Sequence, residues 1–182
     1  MVVLSHDLLF DPEPAAFPTT PMTERQVLDL LHERYSQIER GTTARRFACA
    51  EHVASYVGMY PPAGQHMIRR ADFIAQDCHA GLLLHGHEVK VTRSDWLTEL
   101  RDPLKAEAIK RYCDRWWLVA ADKAIVRDDL PDGWGLMVPD KTGRLRTIRR
   151  APVLSPEPMP TAFRASLLRA TQKTAARRGW PS

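Results

Sequence analysis

In the stretch Gly86-His87-Glu88-Val89-Lys90 a glutamate and a lysine are separated by one residue. In an extended chain side chains alternate, so Glu88 and Lys90 project from one face while Val89 enters the opposite layer. A charged pair on a buried sheet needs a reason, because unpaired buried charge is expensive. Asp72, in Arg70-Ala71-Asp72, lies on an earlier strand candidate. Two carboxylates and a strand carbonyl offer hard oxygen ligands to Mg²⁺ or Mn²⁺. A lysine beside them would sit near an attacking water and counter the negative charge that develops on a phosphate. The same residues also suit an edge strand with a solvent-facing Glu–Lys pair, and the triplet alone does not decide between the two.

Other chemistry-bearing residues read more plainly. His85 and His87 alternate onto the Val89 side, away from Glu88, and are expected to pack or hydrogen-bond rather than bind metal. Trp116-Trp117 heads an apolar run, so core packing outweighs base stacking there; Trp96 and Trp134 are expected in the core as well. Ser94-Asp95 is explained as a helix start. Cys113 has no activating neighbour in sequence and counts as a small apolar residue.

The elements that must position these residues follow from pattern. Thr23-Glu24-Arg25-Gln26 is a capping box, and Val27, Leu30, Leu31, Tyr35 and Ile38 continue at helical spacing, predicting a helix over 24–39. Strands are expected in 47–57 (with a short helix as the alternative ending), 70–75, 82–91, 116–121, 136–138 and 145–149. A helical stretch over 94–114 should restart or kink at Asp102-Pro103. Asp140-Lys141-Thr142-Gly143 is turn chemistry, and Pro152, Pro156, Pro158 and Pro160 form a stiff linker. From Thr161 a basic amphipathic helix runs toward Arg178, with Phe163, Leu167, Leu168 and Ala175 available for packing. The order is that of an α/β protein, most simply a mixed sheet with helices on both faces.

Composition sets the outer limits. Apolar residues make up 44% and charged residues 26% of 182, the balance of a globular chain rather than a disordered one. No apolar run reaches the length of a membrane span and the first residues lack a secretory pattern, so no membrane partner and a cytoplasmic location are expected. Three widely spaced cysteines exclude a disulfide framework. The net charge of +4 conceals a segregation: residues 141–182 hold ten Lys or Arg and one acid, giving +9, which leaves −5 for the rest. A basic segment on a mildly acidic body points to a polyanion, nucleic acid first.

An Asp on one strand, a dozen or so residues, then Glu-X-Lys on the next, with helices before and after, resembles the PD-(D/E)XK nuclease superfamily. Within it the chain is most similar to the MmcB-type DNA-repair-related proteins and their phage relatives. The stretches that carry the likeness are Arg69 to Ala75, His87 to Leu97, Asp102 to Glu107, Tyr112 to Val119, Leu130 to Leu136 and Arg150-Ala151-Pro152. Ala71 stands where the superfamily's motif has proline. The resemblance implies a restriction-endonuclease-like mixed β-sheet flanked by helices, with a basic helix at the C-terminus. The likeness covers about residues 45–152; with the proline-rich stretches at either side, the chain divides into an extended leader over 1–22, a nuclease-like α/β domain over 23–152, and a Pro-rich linker with the basic helix over 153–182. The resemblance further implies Mg²⁺- or Mn²⁺-dependent cleavage of DNA, in DNA repair or phage DNA metabolism. Asp72, Glu88 and an upstream acid would hold the metal, and Lys90 would position the water. Glu51 stands where that acid is expected; Glu33 on the first helix competes for the role. Arg70, Lys105, Lys110, Arg164, Arg169, Lys173, Arg177 and Arg178 would meet DNA, although Lys105 and Lys110 equally suit ordinary pairs with Glu107 or Asp102. A non-catalytic DNA-binding or repair-accessory protein on the same core is the alternative, and monomer and homodimer both stay open.

Overall fold

The computed structural model describes residues 21–57 and 68–179. The elements run α1 (Glu24–Arg34), β1 (Phe47–Ala54), β2 (Arg70–Asp77), β3 (Leu84–Lys90), α2 (Arg93–Leu100), α3 (Pro103–Lys110), β4 (Arg115–Ala120), β5 (Trp134–Pro139), β6 (Leu145–Arg149) and α4 (Thr161–Arg177), with a short 3₁₀ turn at Lys123–Ile125. The six strands lie side by side in sequence order. β1, β2 and β3 form an antiparallel meander, β3–β4 and β4–β5 are parallel, and β5–β6 is a hairpin. This is the expected α/β architecture, a mixed sheet flanked by helices and closed by a C-terminal helix, consistent with a restriction-endonuclease-like fold. Most of the 1–22 leader lies outside the described residues, and no described helix is long and apolar enough to cross a membrane.

Two apolar layers sandwich the sheet. On one face α2 and α3, which carry the chain from β3 to parallel β4, bury Trp96, Ala106 and Ile109 against Trp116, Leu118 and Leu136. The Trp96, Trp116 and Trp134 rings meet edge-to-face with centroids 5.8 and 5.9 Å apart, as ring quadrupoles favour. On the other face α1 buries Val27, Leu28 and Leu31 against Phe73, Val89 and Val119. Gly86 and Gly135 make this closeness possible: a Cβ on Gly86 would run into the Trp116 ring, and one on Gly135 into that of Trp117. α4 packs on β1, the outer strand. Phe163 enters the α2–α3 layer, and the β1 N–H of Glu51 donates to Thr174 Oγ1 at 2.9 Å, so an edge left open by the sheet is covered.

Several boundaries differ from the sequence expectation. α1 ends at Arg34 rather than near 39, because Ile38 leaves the helix to bridge Arg45 and stays more than half exposed. The capping box at Thr23 and Gln26 is present in both directions. α2 is capped by Thr92, whose hydroxyl accepts from the Asp95 N–H, rather than by Ser94. The break at Asp102-Pro103 is a true division into two helices. The terminal helix belongs to the body through Phe163, while Leu168 faces solvent.

Candidate metal-binding cleft

β2 and β3 pair as far as Phe73 opposite His87, and one step further along that register Asp72 stands opposite Glu88. There the ladder gives way to a side chain: the Val89 N–H donates to Asp72 Oδ2 at 2.8 Å. Alternation puts His87 and Val89 under α1 and Glu88 and Lys90 toward α2 and α3, as expected. His87 is fully buried, its Nε2 against the Tyr35 hydroxyl at 2.9 Å, and burial drives its pKa well down. His85 accepts from Trp117 Nε1 through Nδ1 and is likewise held neutral by burial. Both histidines therefore serve packing and hydrogen bonding.

Asp72, Glu88 and Lys90 line one cleft of about 550 Å³, together with Glu24, Glu99, Lys105 and Arg70. Lys90 Nζ donates to Glu88 Oε1 at 2.6 Å and lies 3.0 Å from Glu99 Oε2. Lys105 Nζ, on α3, pairs with Glu99 Oε2 and stands 3.5 Å from Glu88 Oε1. Glu88 is 4% exposed at its side chain, and burial followed by the neighbouring Asp72 charge pushes its pKa up to about 8. Burial also raises Asp72, against the Val89 N–H and Lys90. Burial would lower Lys90, but Glu88 and Glu99 outweigh it and raise it. Two desolvated carboxylates that repel each other form a donor set suited to a hard divalent cation, which would supply the counter-charge they lack.

Sequence reasoning missed Glu99 and Glu24. Glu99 stands three residues after Trp96 on α2, so the helical period that buries the tryptophan also buries the glutamate. Only the packing of α2 and α3 on β3 shows that this side is the acid cleft. Glu24 opens α1, where an acid is already accounted for by the helix dipole. Glu33, the competitor for the upstream acid, instead lines a separate groove at the other end of α1.

Glu51 is a correction. It pairs opposite Phe73 and turns to the α1 side, outside the cleft. Its carboxylate, 1% exposed, accepts from Arg25 at 2.7 and 2.9 Å, from Arg177 at 3.2 Å and from Arg178 at 3.1 Å, and meets His32 Nε2 at 2.8 Å. Burial would raise its pKa, but these bonds hold it far below the usual carboxylate range. It has no oxygen left for a metal, and it joins α1, β1 and α4.

The basic residues expected on DNA divide in the same way. Arg178 bonds Asp29 at 2.6 Å as well as Glu51, and Lys110 pairs with Glu107 at 3.0 Å. Lys105 belongs to the acid cluster. Arg169 and Lys173 line a groove between α4 and the β1–β2 end of the sheet with Arg177, and Arg70 lines both that groove and the cleft. Arg164 lies exposed in the first turn of α4.

No family model matches the chain, and no curated protein matches it. Among solved structures it is similar to one described as SPO1766 protein of unknown function from Silicibacter pomeroyi, at 23% identity over 73% of this chain and 77% of that one, with a TM-score of 0.47. A likeness of that size carries no argument about the site.

Proposed function

We propose that the chain is a metal-dependent DNA nuclease, acting in DNA repair or phage DNA metabolism as the sequence resemblance implies. The observation that supports this reading most is the convergence of Asp72, Glu88 and Lys90, from neighbouring strands, in one cleft. Asp72 and Glu88 would hold Mg²⁺ or Mn²⁺; when bound, the ion supplies Lewis-acid stabilisation and an acidified water. Lys90 Nζ, kept charged by Glu88 and Glu99, orients the water and faces the charge that grows on the phosphate. Arg70 and the α4 cations Arg169 and Lys173 hold backbone phosphates and bring the strand to the cleft, which sets position without reading sequence.

The accessory reading has its own support. Glu88 Oε1 is already engaged by Lys90 and approached by Lys105, so the acids are partly neutralised from within. One experiment separates the two. Wild type, Asp72→Asn and Lys90→Ala are incubated with single- and double-stranded DNA in Mg²⁺ or Mn²⁺, and binding is measured beside cleavage. Cleavage by wild type alone, with binding kept by all three, is expected. Tight binding by wild type without cleavage of either DNA in either metal would establish the accessory reading.

A further inference from the structure

Glu24, His52 and Asp72 meet at the mouth of the cleft from three successive elements. Glu24 is the first residue of α1, and His52 on β1 stands opposite Asp72 on β2, between the Glu51–Phe73 and Val53–Ala71 pairs. One donor atom from each lies within 4.8 Å of the others. They are not held there by one another: His52 Nδ1 and Glu24 Oε1 are 3.9 Å apart, beyond hydrogen-bond reach, and the Asp72 hydrogen bond goes to the Val89 N–H. Donors bound at about 2.1 Å to a common ion stand roughly 3–4 Å from each other, so a small closure of these three side chains completes a cation's coordination.

The charge of the cleft argues for a cation independently of that spacing. Five carboxylates line it (Glu24, Asp72, Glu88, Asp95 and Glu99) against Arg69, Arg70, Lys90 and Lys105. Arg69 is committed to Asp102 outside the cleft, at 2.7 Å, which leaves five carboxyl groups facing three cationic side chains, so acids outnumber bases there. Glu99, buried in the same cleft, keeps Oε1 without a partner among the described residues. A bound cation would favour the ionised form of carboxyl groups that burial and mutual repulsion otherwise disfavour. The imidazole decides which kind: nitrogen donors suit first-row transition ions, whereas Mg²⁺ takes oxygen and holds its waters.

We propose that Glu24, His52 and Asp72 form a site for a divalent transition cation, Mn²⁺ in preference to Mg²⁺, which adjoins the Asp72–Glu88 pair and shares Asp72 with it. The site stands whether or not the chain cuts DNA. His52 has φ of 52°, a backbone conformation in which glycine is at ease, so His52→Gly removes the donor with the backbone retained. Mn²⁺ and Mg²⁺ are titrated separately into the full chain by calorimetry, and pulsed electron paramagnetic resonance of bound Mn²⁺ reads ¹⁴N coordination. Wild type should show ¹⁴N coupling and bind Mn²⁺ more tightly than Mg²⁺. His52→Gly should lose the coupling and about tenfold in Mn²⁺ affinity, with Mg²⁺ affinity unchanged. Glu24→Gln, on an exposed first turn, should weaken Mn²⁺ binding with the ¹⁴N signal kept at saturation. Absence of ¹⁴N coupling in wild type, or its persistence in His52→Gly, would overturn the proposal. Because neither readout uses DNA, a protein that binds Mn²⁺ through His52 but never cleaves would refute the nuclease reading alone.

Discussion

Lys90 shows why a catalytic assignment and a structural one must be measured together. Its ammonium holds two buried carboxylates, Glu88 and Glu99, so removing it leaves charge inside the protein with less compensation. Lys90→Ala should therefore lower stability by about 3–5 kcal/mol in urea titrations without metal, as the loss of one partner from a buried ion pair does. On the proposed reading, Mg²⁺ or Mn²⁺ should return part of that loss, because an ion bound at Asp72 and Glu88 would replace the missing positive charge. A variant that melts like wild type in metal-free buffer would show that the Lys90 pairs contribute little. The converse applies to Glu51, a buried carboxylate with three guanidinium partners and an imidazole. Glu51→Gln should cost about 3 kcal/mol by the same reasoning while leaving metal affinity in the cleft unchanged. A lost metal response in that variant would return Glu51 to the ligand set.

At the level of elements, β3 carries the site and depends on having no side chain at Gly86. Any Cβ there strikes Trp116 and Cys113 Sγ, so Gly86→Ala should destabilise by about 3 kcal/mol, the upper end of overpacking, in equilibrium denaturation. Wild-type stability in that variant would mean the Trp116 ring can move aside. The turn that feeds β3 is pinned by Asp77, whose carboxylate takes Arg46 at 2.7 Å and the N–H groups of His79 and Ala80 at 3.0 and 3.1 Å. The Arg46 bond, with help from those N–H groups, pulls its pKa down from 3.8 to about 2. A carboxylate depressed in the folded state adds stability that is fully present above its unfolded value. That stability fades as pH falls from near 4 toward 2. The acid loss attributable to Asp77 should be on the order of 2 kcal/mol. Stability measured from pH 5 to pH 2 should fall less steeply for Asp77→Asn than for wild type, and parallel curves would remove Asp77 from the balance.

For the molecule as a whole, α4 is both a structural cover and the source of exposed positive charge. Arg177 and Arg178 face Glu51 and Asp29, which they share with Arg25, so their charges are partly balanced within the fold. Arg70, Arg169 and Lys173 line the groove that opens beside the cleft. On the proposed reading, replacing these three by alanine should weaken DNA binding for every sequence alike. The slope of log K against log salt should fall by up to about 0.9 for each duplex phosphate that is no longer neutralised. Arg178→Ala should instead lower the melting temperature and leave that slope almost unchanged. If Arg178→Ala alters the slope and the groove triple does not, the two sets have been assigned the wrong way round.

Local rules were enough for much of this. Alternation along 85–90 separated His87 from Glu88, the capping box started α1, and Asp102-Pro103 divided α2 from α3, because each depends on neighbours a few residues away. The same rules put Glu88 and Lys90 on one face of β3, and the family resemblance, not local pattern, grouped Asp72 with them. They did not show that Glu99 and Lys105 join them, since that follows from how α2 and α3 cross β3. Nor did they show that Glu51 is consumed by α1 and α4. That clamp needs Arg25 and Arg178, 26 and 127 residues away from Glu51 along the chain. Charge segregation was legible by counting, but a count cannot distinguish a guanidinium facing solvent from one facing a carboxylate. Burial makes that distinction, and burial is set only when distant elements pack.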